Sequence, residues 1–163
     1  MAGPHTLTET EKAVESRLSE MDLDFKAMAV ASNLFRAANA VRNHMERTVL
    51  AKADLTWTGF VVLWVAWIWQ TAETRLIAEE SGVSKATLSG VLSTLEGRGL
   101  LTRRRSETDG RLVIVELTTT GKRLMKTLFP KFNEQERFVT RFIAPGDEEH
   151  AATILRDFVR AVE

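Results

Sequence analysis

The apolar residues of this chain change period once, at Gly99, and that change limits what the chain can fold into. Before it, Leu88, Val91, Leu92 and Leu95 recur at three- and four-residue intervals, the spacing of one helix face. After it the pattern changes to period two, with Leu101 to Arg105, then the polar run Ser106-Glu107-Thr108-Asp109-Gly110, then Arg111 to Leu117, which is rich in valine and isoleucine. Alternation broken by an Asp-Gly turn predicts a β-hairpin. Ser84 supplies an N-cap to the preceding helix, which is expected to run to Arg98, where Gly99 stops it. A shorter helix, opened by Thr71 or Glu73, comes before it as far as Ser81, and Gly82 separates the two.

Two short helices around a glycine, followed by a hairpin, read as a helix-turn-helix with a wing. Ala78 is small where the helices cross, and Gly82 is free to take a positive φ. Val83, Leu88, Val91, Leu92 and Leu95 hold the second helix down, which leaves Lys85, Ala86, Ser89, Ser93 and Thr94 facing outward. A DNA major groove about 12 Å wide admits such a helix, with its first turn at base edges and its free N–H groups toward phosphate. Ser84, Lys85, Thr87 and Ser89 are therefore the candidate base or phosphate contacts. Arg103, Arg104 and Arg105 alternate along a strand, so two can follow one DNA backbone while the third turns away, and Arg111 sits at the wing tip beside Asp109. An arginine run by itself is usually a solvated surface, and some winged units serve only protein contacts. Here the run lies next to a capped helix, where neutralising phosphate is useful, and that favours DNA.

The flanking segments read as helical. Thr8 to Glu11 forms a capping box, with Ala13, Val14, Leu18 and Met21 following at helical spacing. A second start at Asp22 precedes nearly thirty residues in which Phe25, Met28, Leu34, Phe35, Ala38, Val41, Met45 and Val49 keep that spacing. So long a stripe serves either an internal core helix or a subunit contact. Thr56 caps a helix to Trp69 that is apolar on nearly every face, as expected of a helix surrounded by others. Beyond the hairpin, Thr118 or Thr119 caps a helix toward Phe142 that Pro130 should kink. After Ala144-Pro145-Gly146, Asp147 to Val162 reads as a final amphipathic helix. The fold expected is mainly α with a small β-hairpin wing: N-terminal dimerisation helices over 1–54, the winged lobe over 55–118 and C-terminal dimerisation helices over 119–163.

Composition narrows the functions open to such a fold. The 163 residues are 44% hydrophobic, enough for a packed core, and contain no cysteine, which excludes disulfides, thiolate metal sites and thiol-based redox sensing by this sequence. The longest apolar run, Phe60 to Trp69, is half of the ~20 residues that a membrane span needs, and no secretory pattern opens the sequence. A cytoplasmic protein without a membrane partner is expected. Acidic and basic residues balance at 22 each, yet Ser81 to Arg111 holds six basic residues (Lys85, Arg98, Arg103, Arg104, Arg105 and Arg111) against three acidic ones (Glu96, Glu107 and Asp109). A local surplus of this kind suits a groove contact.

The residues from Leu55-Thr56 through Phe60 and Leu63, then IAEESGVSKATLSGVLSTLEGRGLLTRRRSETDGR and VELTTTGK, resemble the multiple-antibiotic-resistance regulator (MarR) family. The Asp-x-Arg wing and the Leu-Thr-x-x-Gly after it carry that resemblance together. It implies a homodimer built from the first and last helices, a pseudo-palindromic double-stranded DNA operator, and release or modulation by a small ligand. It also implies that Asp109 braces the wing by a salt bridge while Arg111 enters the minor groove, where the narrow groove's negative potential favours arginine. Gly90 and Thr94 depart from a family pattern that often has long polar side chains there, and Gly59 stands where glutamine is frequent. Gly59 leaves room for either a second helix or a ligand. With Lys85 as the one cation in the helix's first turn, the helix is expected to select sequence and the arginines of the wing to supply most of the affinity.

Family members hold phenolic or other aromatic anions between the dimer helices and the winged lobe. Trp57 and Trp64 are the candidate pocket lining and Arg36 and Arg42 the candidate anion partners. Core packing for the tryptophans and plain surface positions for the arginines are the competing readings. His5, His44 and His150 are isolated, so no metal site is expected, and no nucleophile elbow, Walker loop or dinucleotide fingerprint suggests an enzyme or a cofactor. The leading reading is a homodimeric repressor modulated by a small aromatic or anionic ligand. A winged protein-interaction module and a regulator with no effector are the alternatives.

Overall fold

The computed structural model describes residues 5–162. Its elements are α1 (Leu7–Arg17), α2 (Phe25–Thr48), a 3-10 turn (Leu50–Ala53), α3 (Trp57–Ile68), β1 (Thr71–Glu73), α4 (Thr74–Ser81), α5 (Lys85–Gly97), β2 (Leu101–Arg105), β3 (Val113–Leu117), α6 (Thr119–Thr140) and α7 (Glu148–Arg160). The fold is mainly helical with a small antiparallel sheet, as the periodicities predict. The chain divides into two compact units between Asn43 and His44.

In the first unit both helices begin away from their predicted starts. Thr6 caps α1 in place of Thr8: its hydroxyl accepts the Glu9 N–H at 3.2 Å, and the Glu9 carboxylate accepts the Thr6 N–H at 2.7 Å. Two capping boxes overlap here, Thr6 with Glu9 and Thr8 with Glu11. The earlier one forms because Glu11 is drawn to α2, where it accepts from the Asn33 amide at 2.6 Å. Asp24 in place of Asp22 starts α2, accepting the Ala27 N–H at 2.9 Å. That leaves α2 at 24 residues instead of nearly thirty.

The second unit is organised around α3. Thr56 caps it as expected, taking the Gly59 N–H at 3.1 Å, and Phe60, Val62, Leu63, Val65 and Ala66 are buried along it. A Cβ on Gly59 would lie 3.3 Å from the Thr56 hydroxyl and 3.9 Å from Leu95 of α5.

The sheet has the order β1-β3-β2, and Leu101 pairs with Leu117 through to Arg105 with Val113. The strand β1 was not expected. It pairs Thr71, Ala72 and Glu73 with Glu116, Val115 and Ile114, and its three residues are too few to show a period. It takes Thr71 into the sheet, and of the two expected starts Glu73 is the one that opens the short helix, as the N-cap residue of α4. The hairpin also differs from a tight Asp-Gly turn. Ser106 donates to the Leu112 carbonyl and Leu112 to the Asp109 carbonyl, each at 2.9 Å, and Gly110 does not take a positive φ. The tip is thus a longer loop, and β3 starts at Val113 rather than Arg111.

Thr118 opens α6 by accepting the Gly121 N–H at 3.0 Å while donating to the Gly99 carbonyl at 2.7 Å. Pro130 lies inside this helix on its exposed side, and the helix continues to Thr140. Phe132 of α6 stacks on Phe60 with centroids 4.2 Å apart, and Phe129 stacks on Trp64 at 4.5 Å, so an aromatic layer joins α6 to α3. No helix among the described residues is long and apolar enough to cross a membrane.

Gly90, midway along α5, is exposed, and a Cβ there would meet nothing within 4 Å. Its backbone is helical, so alanine fits the native conformation and restricts the unfolded chain. Gly90→Ala is expected to stabilise the protein by about 0.5–1 kcal/mol, measured as a rise in the thermal or urea midpoint. A fall in the midpoint would mean that α5 is not helical through this position.

Candidate nucleic-acid interface

The turn between α4 and α5 is built by backbone geometry. Gly82 has φ +62°, and the Val83 N–H reaches back to the Ala78 carbonyl at 3.2 Å, which ends α4 and releases the chain toward Ser84. Ser84 then accepts the Thr87 N–H at 3.1 Å, and its hydroxyl lies 2.9 Å from that of Thr87. Further along α5, the Ser93 and Thr94 hydroxyls donate to the carbonyls of Ser89 and Gly90, both at 3.0 Å. Among the hydroxyls of this helix, Ser89 is the one whose side chain makes no hydrogen bond within the described residues.

Lys85 and Ser89 face a cleft of about 430 Å³ that also receives Arg75, Arg103 and Arg111, with Leu88, Leu92, Leu112 and Val113 among its apolar lining. The wing and the first turns of α5 therefore form one concave surface, on which four cations outnumber the one carboxylate, Glu73. The six basic residues counted in the sequence are not equivalent, and Lys85, Arg103 and Arg111 are the three that line this cleft. Arg98 donates to the carbonyls of Ala53, at 2.9 Å, and Asp54, closing the end of the 3-10 turn. Arg104 pairs across the sheet with Glu116 at 2.8 Å. Arg103 folds back onto α5, where Glu96 takes its Nε–H at 2.9 Å and a terminal N–H at 2.5 Å, and Ser93 lies 3.3 Å away. Lys85, Arg105 and Arg111 remain, with no hydrogen bond or ion pair to their side chains among the described residues.

Asp109 braces the wing by a different bond from the expected salt bridge. Its carboxylate accepts the backbone N–H of Arg111 at 2.9 Å, and its own N–H meets the Ser106 hydroxyl at 3.3 Å. This shapes the tip and leaves the Arg111 guanidinium exposed.

The Arg103 guanidinium and backbone N–H hold the Glu96 carboxyl below its ordinary value. A lowered carboxyl contributes order that is complete above the unfolded pKa and disappears as pH falls through the folded one. The Arg103 Nε–H resonance is therefore expected to keep its bonded position at neutral pH and to shift only in acid, below the range of a free glutamate. A titration at the free-glutamate value would contradict the bond.

The candidate ligand residues lie elsewhere. Trp57 packs 6.2 Å from Phe132 and Trp64 stacks on Phe129, so both tryptophans take part in the aromatic layer, and the backbone N–H of Trp57 donates to the Glu46 carboxylate at 2.9 Å. Arg36 lines a groove between α1 and α2 in the first unit, and Arg42 is exposed on α2. No group of three or more histidine and carboxylate side chains among the described residues is placed to hold a metal.

Sequence reasoning missed the roles of Glu96, Glu116 and Arg98. Each bonds across a change of element, where neither helical nor strand spacing relates the partners.

A capped helix presented beside a braced wing defines the class: a DNA-binding transcriptional regulator of the winged helix-turn-helix type. The chain belongs to the MarR family, whose sequence model matches residues 55–113. The HTH-type transcriptional regulator YwaE of Bacillus subtilis is 35% identical over 153 residues, spanning 92% of this chain and 90% of YwaE. Sco3205, a MarR family regulator from Streptomyces coelicolor solved in complex with DNA, superposes with a TM-score of 0.78 and 18% identity, covering 86% of this chain and 94% of its own. PcaV from the same organism, solved with its natural ligand, superposes at 0.70 with 24% identity, covering 86% of this chain and 98% of its own.

Proposed function

We propose that this regulator is a homodimeric repressor that places α5 in the major groove of a pseudo-palindromic operator and Arg111 in the adjacent minor groove. The observation that carries the proposal is the convergence of Lys85, Ser89 and Arg111 on one cleft, with both cations unpaired. Lys85 and Ser89 read base edges, and the free N–H groups of the first turn, together with Thr87 and Arg105, meet phosphate. The DNA complex of Sco3205 supports the mode of binding by likeness of fold. Support for a dimer comes from α7, where Ile154, Leu155 and Val159 are 45%, 52% and 54% exposed on an amphipathic helix. The ligand-bound PcaV supports a small-molecule effector, and Trp57, Trp64, Arg36 and Arg42 are the residues to test for an aromatic or phenolic one.

The test is binding to duplex DNA from the promoter of its own gene at several salt concentrations. Affinity is expected to fall steeply with salt, and the footprint should show half-sites about one helical turn, ~10 bp, apart. Failure to retain any duplex at low salt would favour the protein-interaction reading, and a monomer by sedimentation at micromolar concentration would defeat the two-fold geometry. Tryptophan fluorescence and DNA affinity across a panel of aromatic acids test the effector. No change in either would leave a regulator without one.

A further inference from the structure

We propose that Glu96 is a positioning residue for DNA binding, which fixes the wing against the recognition helix by holding Arg103. The inference rests on the DNA-binding face described above and adds a residue that touches no DNA. β2 is an edge strand, so the N–H of Arg103 that points away from β3 has no strand to pair with. Glu96 takes that N–H at 3.1 Å with one carboxylate oxygen and binds the guanidinium of the same residue with the other. One side chain of α5 thus holds both the main chain and the side chain at the base of the wing. Two such bonds through both oxygens fix direction as well as distance. Arg105 follows two residues further on the same face of the strand, and Arg111 lies across the tip. Any rotation of the hairpin about its base therefore displaces the two free cations of the wing relative to Lys85 and Ser89. Arg103, in turn, is held within the protein and is not offered to phosphate.

The sign of the effect at Glu96 makes this testable. Glu96→Gln removes a negative charge beside a polyanion, so a carboxylate with no positioning role would give equal or tighter binding once removed. Positioning predicts the reverse: about five- to tenfold weaker binding to the promoter duplex, with the thermal midpoint little changed. Arg103→Gln should weaken binding by a similar factor, and the double variant should bind no worse than the weaker single one, because both remove one device. A spin label on Thr108→Cys reads the wing directly, the sequence having no other cysteine. Its spectrum should show faster motion in both single variants while the protein remains folded. Wild-type or tighter binding by Glu96→Gln, or additive losses in the double variant, would overturn the proposal and return Arg103 to a phosphate contact. Absence of DNA binding by the unmodified protein would instead defeat the reading on which the inference rests.

Discussion

Gly121→Ala is expected to destabilise the protein by about 3 kcal/mol or more, the upper end of what overpacking costs. A Cβ on Gly121 would lie 2.0 Å from the Leu100 carbonyl oxygen and 3.0 Å from its carbon, well inside contact distance. The carbonyl cannot simply turn aside. It accepts the Thr118 N–H at 3.1 Å, and the Leu100 N–H is itself held by the Leu95 carbonyl at 3.0 Å. Leu100 is buried and joins the end of α5 to the start of β2, so relief of the clash must move α6 or the base of the wing. Thermal unfolding followed by circular dichroism should show a fall of about 6–12 °C for a chain of this size. An unchanged midpoint would mean that α6 does not start against Leu100. Gly90→Ala, with open space around it, should move the midpoint the other way. The two substitutions together separate a glycine required by contact from one that is not.

Arg111→Ala is expected to weaken operator binding by about 1–3 kcal/mol, or about 5- to 150-fold, with little effect on stability. The Arg111 side chain makes no bond within the described protein, and the tip is shaped by its backbone N–H on Asp109, which alanine retains. The loss should therefore report contact with DNA and not collapse of the wing. Titration of wild type and variant against the same duplex by fluorescence anisotropy is the measurement. Asp109→Ala provides the complement, since it leaves the guanidinium in place and removes the brace. Wild-type affinity for Arg111→Ala would remove the wing tip from the binding surface.

The elements that the sequence made legible are those with local causes. Thr56, Ser84 and Thr118 cap helices because a short hydroxyl side chain folds back onto the N–H three residues ahead, an interaction contained in four residues. The α5 stripe and the β2–β3 alternation are likewise legible because burial repeats along them. Less legible was the choice between overlapping signals of equal local quality. The capping boxes at Thr6 and Thr8 look alike, and it is Asn33, more than twenty residues away, that engages Glu11. β1 escaped because its pairing energy lies in β3, some forty residues on. The same limit applied to the site. Counting arginines made the wing look richer in free charge than it is, since Glu96 and Glu116 engage Arg103 and Arg104. The balance of cations between helix and wing is accordingly more even than the sequence suggests: Lys85 on one side, Arg105 and Arg111 on the other.

Hydrogen exchange of the protein with and without its promoter duplex addresses most directly whether the α5–wing cleft is the DNA-binding surface. Slowed exchange should concentrate in the first turns of α5, around Lys85 to Ser89, and in the wing loop from Arg105 to Arg111. Protection confined to other surfaces, with these two segments unchanged while the duplex is bound, would contradict it.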